Sequence, residues 1–157
     1  MRKTMKRLFN GVAAVICLAN LSFASILDGE LDCAFMGDII EFEGHYYKRA
    51  SLLMLTSEFE GFPLVLAECM SFGVVPFVYQ SFSAVDDIIE DGKDGVILPK
   101  SDIGFDAEAM ANKMAVVMNN QDKLCLMANA AIEKSKSFSL DTIVKQWEEE
   151  FVKIMNE

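Results

Sequence analysis

Glu60 and Glu68 stand eight residues apart, around the start of an expected helix. Carboxylates in such places can accept hydrogen bonds from sugar or ribose hydroxyls. Between them, Gly61 frees the backbone and Pro63 fits the first helical position, where a missing N–H costs nothing. The first amides of a helix have no partner of their own, and the peptide dipoles make that end positive. A phosphate could bind there. Two glutamates are a weak signal in a chain with 24 acidic residues. Their setting strengthens it, because Glu68 sits between Ala67 and Cys69 in an otherwise apolar helix. A charge there must face solvent, a cleft or a partner.

Other chemistries find little support. The one histidine, His45, lies in a polar stretch and reads as a surface residue. No G-x-S-x-G, H-E-x-x-H or G-x-x-x-x-G-K pattern occurs. The four cysteines, Cys17, Cys33, Cys69 and Cys125, form no C-x-x-C pair and read as reduced, mostly buried thiols. No cluster of metal ligands is visible, so neither a metal nor a resident cofactor is expected.

Elements of alternating type must hold the glutamates in place. Cys33–Met36 reads as a strand ending at Gly37, and Ile39–Gly44 as a loop. Tyr46–Ala50 reads as a short helix leading into the apolar strand Leu52–Leu55. The helix Pro63–Phe72 is stopped by Gly73. Val74–Tyr79 is the next strand, with Pro76 suited to a strand start or an edge. Ser83 is expected to cap a helix over Ala84–Glu90, with Asp86 and Asp87 in its first turn. Asp91–Gly95 makes a tight turn before the strand Val96–Leu98. Three helical segments follow: one capped by Asp106, one from Gln121 to about Ser135, and one from Ser139. The last carries Ile143, Val144, Trp147, Phe151 and Ile154 on one face, which reads as packing surface. Strand and helix in this rhythm specify an α/β domain with a parallel sheet and C-terminal helices. Ligands of such sheets bind beyond the carboxyl ends of the strands, where the Ser57–Phe62 loop lies.

The 157 residues suffice for one domain with a core, and 52% are hydrophobic, which excludes disorder throughout. A formal net charge of −10 argues against nucleic acid as a partner. The charge is uneven: Arg2, Lys3, Lys6 and Arg7 precede an interrupted apolar stretch, Leu8–Ala24. Residues 1–26 therefore read as a basic-apolar leader, either a secretory signal or a substitute structural element. Residues 32–157 read as the domain.

The residues from Ala50 to Glu68 (ASLLMLTSEFEGFPLVLAE) resemble the Glu-x7-Glu region of retaining glycosyltransferases of the GT-B fold, family 4. Gly73-Val74-Val75-Pro76 is similar to that family's G-x-P-V strand entry. Asp87–Gly95 is similar to its E-I-I-E-D-G-x-N-G turn, and Tyr46–Ala50 to the helix before the motif. The resemblance covers roughly residues 32–155.

The resemblance implies a partial Rossmann-like, nucleotide-sugar-binding C-terminal domain. It implies transfer of a sugar from a nucleotide-sugar donor to a glycan or lipid-linked acceptor. Glu60 would meet the donor sugar near the reacting centre. Gly61, Phe62, Pro63 and Leu64 would line the diphosphate and sugar with backbone, Pro63 giving no N–H. Glu68 would hold the ribose hydroxyls. No metal is implied. Such enzymes meet their donors in the cytoplasm, at or near the inner membrane face, whereas a signal in residues 1–24 would mean export.

The chain also departs from the family. The acceptor-binding domain and the first two strand-helix units have no counterpart, so a second chain would have to supply the missing domain. No basic residue stands in a motif that would neutralise the diphosphate. Asp87 replaces a usual Glu, Asp94 a usual Asn, and Gln80–Ser83 lacks the usual glycines. In a sheet of order 3-2-1-4-5-6 the two central strands would be missing, leaving Leu52–Leu55 an open edge. Either Val12–Leu18 fills part of this gap, or the chain is a gene fragment. A non-catalytic nucleotide-binding or partner module, and a small exported acidic protein, remain as alternatives.

Overall fold

The computed structural model describes residues 14–18, 33–35, 47–48, 50–102 and 104–156. The strands are β1 (Ala14–Leu18), β2 (Cys33–Phe35), β3 (Ala50–Leu55), β4 (Val75–Tyr79) and β5 (Val96–Leu98). The helices are α1 (Leu64–Ser71), α2 (Val85–Ile88), α3 (Ala107–Met118), α4 (Gln121–Ser135) and α5 (Leu140–Asn156), with a 3₁₀ turn at Lys136–Phe138. The five strands form one parallel sheet in the order β2-β1-β3-β4-β5. The expected α/β class and parallel sheet are both present.

Both faces of β3, β4 and β5 are covered, which is why these strands read as unbroken apolar runs. Side chains alternate between the faces. Leu52, Met54, Val75, Phe77, Tyr79, Val96 and Leu98 point to one side, against Met110, Met114 and Val117 of α3 and Leu124 and Met127 of α4. Leu53, Leu55, Val78 and Ile97 point to the other, against Leu66, Cys69 and Met70 of α1, Val85 and Ile88 of α2, and Ala131 of α4. Asp106 caps α3 as expected, its side chain accepting from the amides of Glu108 and Ala109.

Several expectations need correcting. Tyr47-Lys48 is a turn and Ala50 already belongs to β3, so the short helix over Tyr46–Ala50 does not form. Tyr46 and Arg49 lie outside the described residues, as does His45. Pro63 is the N-cap of α1, with φ −75° and ψ 95°, rather than its first helical residue. Ser83 caps nothing: α2 is one short turn whose N-cap is Ala84, without a side-chain hydrogen bond. Leu52–Leu55 is not an open edge either, because β1 pairs with it from Ala14–Ala50 to Leu18–Leu55. Part of the apolar stretch at the start of the chain is thus the strand between β2 and β3. The rest of residues 1–26 lies outside the described residues.

The last helix departs furthest from expectation. α5 has an apolar face, yet none of its residues is buried. Trp147 is 61% exposed. Periodicity names the apolar side of a helix; it does not provide a cover for it.

Candidate functional site

The loop 56–63 joins the carboxyl end of β3 to α1, so its residues sit where open parallel sheets bind ligands. α1 forms because Pro63 fixes its entry and Leu66, Cys69 and Met70 anchor one side. Gly73, with φ +74°, ends it: its N–H donates to the carbonyl of Met70, and that of Val74 to Cys69. Leu64, Glu68, Ser71 and Phe72 make up the exposed stripe opposite. The amides of Leu64 and Val65 have no acceptor among the described residues, whereas Leu66 N–H turns back to the Pro63 carbonyl at 3.0 Å. No acidic side chain occupies the first turn of α1, so its positive end is not neutralised from within.

Each expected site residue can now be placed. Glu60 is half-buried in the loop and has no hydrogen-bond partner among the described residues. Gly61 is exposed, and an added Cβ would meet nothing within 4 Å. Its φ is not in the left-handed region, so neither strain nor crowding within the chain demands a glycine. Phe62 is half-exposed, its ring edge-on to Phe138 at 5.9 Å. Pro63 is buried, and Leu64 is exposed on the first turn. Glu68 is exposed one turn further along the same stripe. Loop and helix start thus bring Glu60 through Leu64 together, with Glu68 on the adjoining stripe.

Three supports were not foreseen. The Ser81 hydroxyl donates to the Ser57 carbonyl and ties the loop to the residues after β4. Phe138 backs Phe62, with the Lys134 ammonium 5.8 Å from the centre of the Phe138 ring. Tyr47, only 2% exposed, donates its hydroxyl to Glu68 Oε2 at 3.4 Å and packs its ring against Phe72 at 5.5 Å. Burial, with the Glu68 carboxylate beside it, pushes the Tyr47 phenol above its ordinary range, so it stays protonated and donates. A large aromatic just before β3 was the available signal, but its partners lie 21 and more residues away.

Among the described residues outside this loop, Cys69 and Asp94 have structural settings, and the side chains of Cys17 and Cys33 lie outside what is described. Cys69 is fully buried, and burial pushes its thiol up, so it is no nucleophile; Cys125 is free and exposed. Asp94 is buried and accepts from Glu90 N–H at 2.8 Å, closing the turn before β5. No three His, Cys, Asp or Glu converge on a metal-sized point among the described residues. None of the described helices is long and apolar enough to cross a membrane.

The chain is similar to several known proteins. The family profile described as "Glycosyl transferases group 1" matches residues 36–136. An exopolysaccharide phosphotransferase of Streptomyces coelicolor is 36% identical over 111 residues, covering 70% of this chain and 11% of that protein. An alpha-1,4-N-acetyl-D-galactosaminyltransferase of Campylobacter jejuni, named for an undecaprenol-linked substrate, is 31% identical over 102 residues, or 64% of this chain and 27% of its own. The crystal structure of Anabaena HepE with UDP superposes with a TM-score of 0.69 at 18% identity, over 96% of this chain and 43% of that one. The chain thus spans roughly a tenth and a quarter of the two curated relatives.

Proposed function

The chain belongs to the group 1 glycosyltransferase family, and on that premise we propose that loop 56–63 and α1 form the donor half of a retaining sugar-transfer site. The substrate would be a nucleotide-diphosphate sugar, and the acceptor a glycan or lipid-linked sugar. The exopolysaccharide and undecaprenol names of the two relatives support that acceptor class. The observation that carries the reading is the unneutralised start of α1, with free amides at Leu64 and Val65, between Glu60 and Glu68.

Retaining transfer builds positive charge on the sugar ring and negative charge on the leaving diphosphate. Glu60 stands on the sugar side, where a carboxylate stabilises the ring. The Leu64 and Val65 amides and the positive end of α1 take the diphosphate. Gly61 leaves open space beside the loop, so a ligand can approach the backbone there. Glu68 accepts from the ribose hydroxyls. The reading assigns no metal and no resident cofactor. A facing domain, from another chain or from a longer form of this one, would bring the acceptor. The donor chemistry suits the cytoplasm, beside the membrane face where lipid-linked acceptors sit.

Calorimetric titration with UDP, GDP and their sugars tests the reading. Saturable millimolar binding is expected, and Glu68→Ala should weaken it about ten- to hundredfold, the loss of about 1.4–2.8 kcal/mol of hydrogen bonding. No binding by the wild type, or equal binding by Glu68→Ala, would remove it.

A further inference from the structure

We propose that Tyr47 is a positioning residue for Glu68, its buried hydroxyl holding the carboxylate in the orientation that ribose hydroxyls meet. The inference rests on the donor-site reading and adds to it a residue from outside the loop and helix.

Glu68 is exposed, and an exposed glutamate ordinarily samples many rotamers, which binding would have to freeze. Among the described residues its carboxylate has one hydrogen-bond partner, the Tyr47 hydroxyl on Oε2. Tyr47 is itself fixed: it is buried in the cluster beneath α1, and its ring rests on Phe72, one turn beyond Glu68. The turn at Tyr47-Lys48 and the Ala50 N–H to Tyr47 carbonyl bond hold its backbone at the entrance to β3. An ionised carboxylate offers about four lone-pair sites. Tyr47 takes one from the protein side, which leaves Oε1 and the outer lone pair of Oε2 for two ligand hydroxyls. The phenol keeps its proton because burial disfavours its anion, so it acts only as donor toward Glu68. At 3.4 Å this contact narrows the carboxylate's rotamers before the ligand arrives.

The test is a binding cycle on the full chain with UDP and with 2′,3′-dideoxy-UDP. Wild type, Tyr47→Phe, Glu68→Ala and the double variant are compared. Phenylalanine keeps the ring on Phe72, so the melting temperature of Tyr47→Phe should stay near wild type. UDP affinity should fall about three- to tenfold, the range of one hydrogen bond. Dideoxy-UDP affinity should not change, and Tyr47→Phe should have no further effect once Glu68 is alanine. A purely structural role would lower both affinities together, and that result overturns the proposal. So does a Tyr47→Phe variant that binds UDP like wild type while Glu68→Ala is weakened; the donor-site reading then stands. A wild type that binds both nucleotides equally sinks the donor-site role of Glu68, and Tyr47's role with it.

Discussion

Helices α4 and α5 follow one another in the chain, and both have an apolar and a charged side. α4 buries Leu124 and Met127 in the cluster on one sheet face and Ala131 in that on the other, and packs on α1; no residue of α5 is fully buried. Exposed lysine-glutamate pairs of the kind worth little to stability occur at both, Glu133 of α4 with Lys136 of the 3₁₀ turn and Lys153–Glu150 on α5. What separates them is cover. α4 is held by what it excludes from water, whereas α5 continues from the 3₁₀ turn with its aromatic pair, Trp147 and Phe151, tilted against one another at 5.6 Å in the open.

The sharpest way to break this comparison is to truncate each helix on its apolar side. Met127→Ala should cost about 2–5 kcal/mol in urea unfolding, the range for a buried methionine. Next in size is Gly73→Ala, which probes how closely α4 approaches α1. Its φ of +74° is strained for alanine, and the added Cβ would stand 3.2 Å from Ile132 Cδ1 of α4. A loss of about 1–2 kcal/mol is expected by the same measurement.

A smaller effect comes from Asp94, which faces Lys134 of α4 along with Glu90 and Lys93 of its own turn. Burial raises its carboxyl above the ordinary range, against the Glu90 N–H and the Lys134 charge, which pull it down. A group whose folded pKa is raised binds its proton more tightly when folded. Its contribution is therefore full in acid and lost as pH rises through the folded value. Asp94→Asn escapes that loss and keeps an acceptor for Glu90 N–H. It should be the more stable by up to about 1 kcal/mol at neutral pH, the size of one net hydrogen bond. Thermal melts should show the gap closing below about pH 4, where an ordinary aspartate is itself protonated. Smallest of all, Trp147→Ala should change stability by no more than about 0.5 kcal/mol, as for an exposed site. A loss comparable to that of Met127→Ala would mean that α5 is covered in solution.

The contrast also marks how far the sequence could be read. Strands β3, β4 and β5 were legible as apolar runs because both faces are buried, and Gly73 and Pro99 punctuate them. Helix α1, with Glu60 in the loop before it and Glu68 on it, was legible because Gly61 and Pro63 fall at the turn into it. Tyr47 was not, since its contacts with Glu68 and Phe72 join residues 21 and more apart, which no local pattern encodes. α5 was legible as amphipathic, but whether anything covers its apolar side is a fact about the rest of the assembly. Ser83 misled for a local reason: α2 is one turn long, and Ala84 takes the cap.

The place of β1 bears on what a shortened form of this chain would expose. A product started at Met36 would carry the whole matched span 36–136, with Glu60, Glu68 and Tyr47 intact. It would lack β1 and β2, and β3, with Leu52 to Leu55 buried on both faces, would become an unpaired edge of the kind that draws strands from other molecules. The stretch that marks the family, residues 36–136, thus leaves out the strand that covers the edge of β3, on whose carboxyl end the Glu60 loop stands.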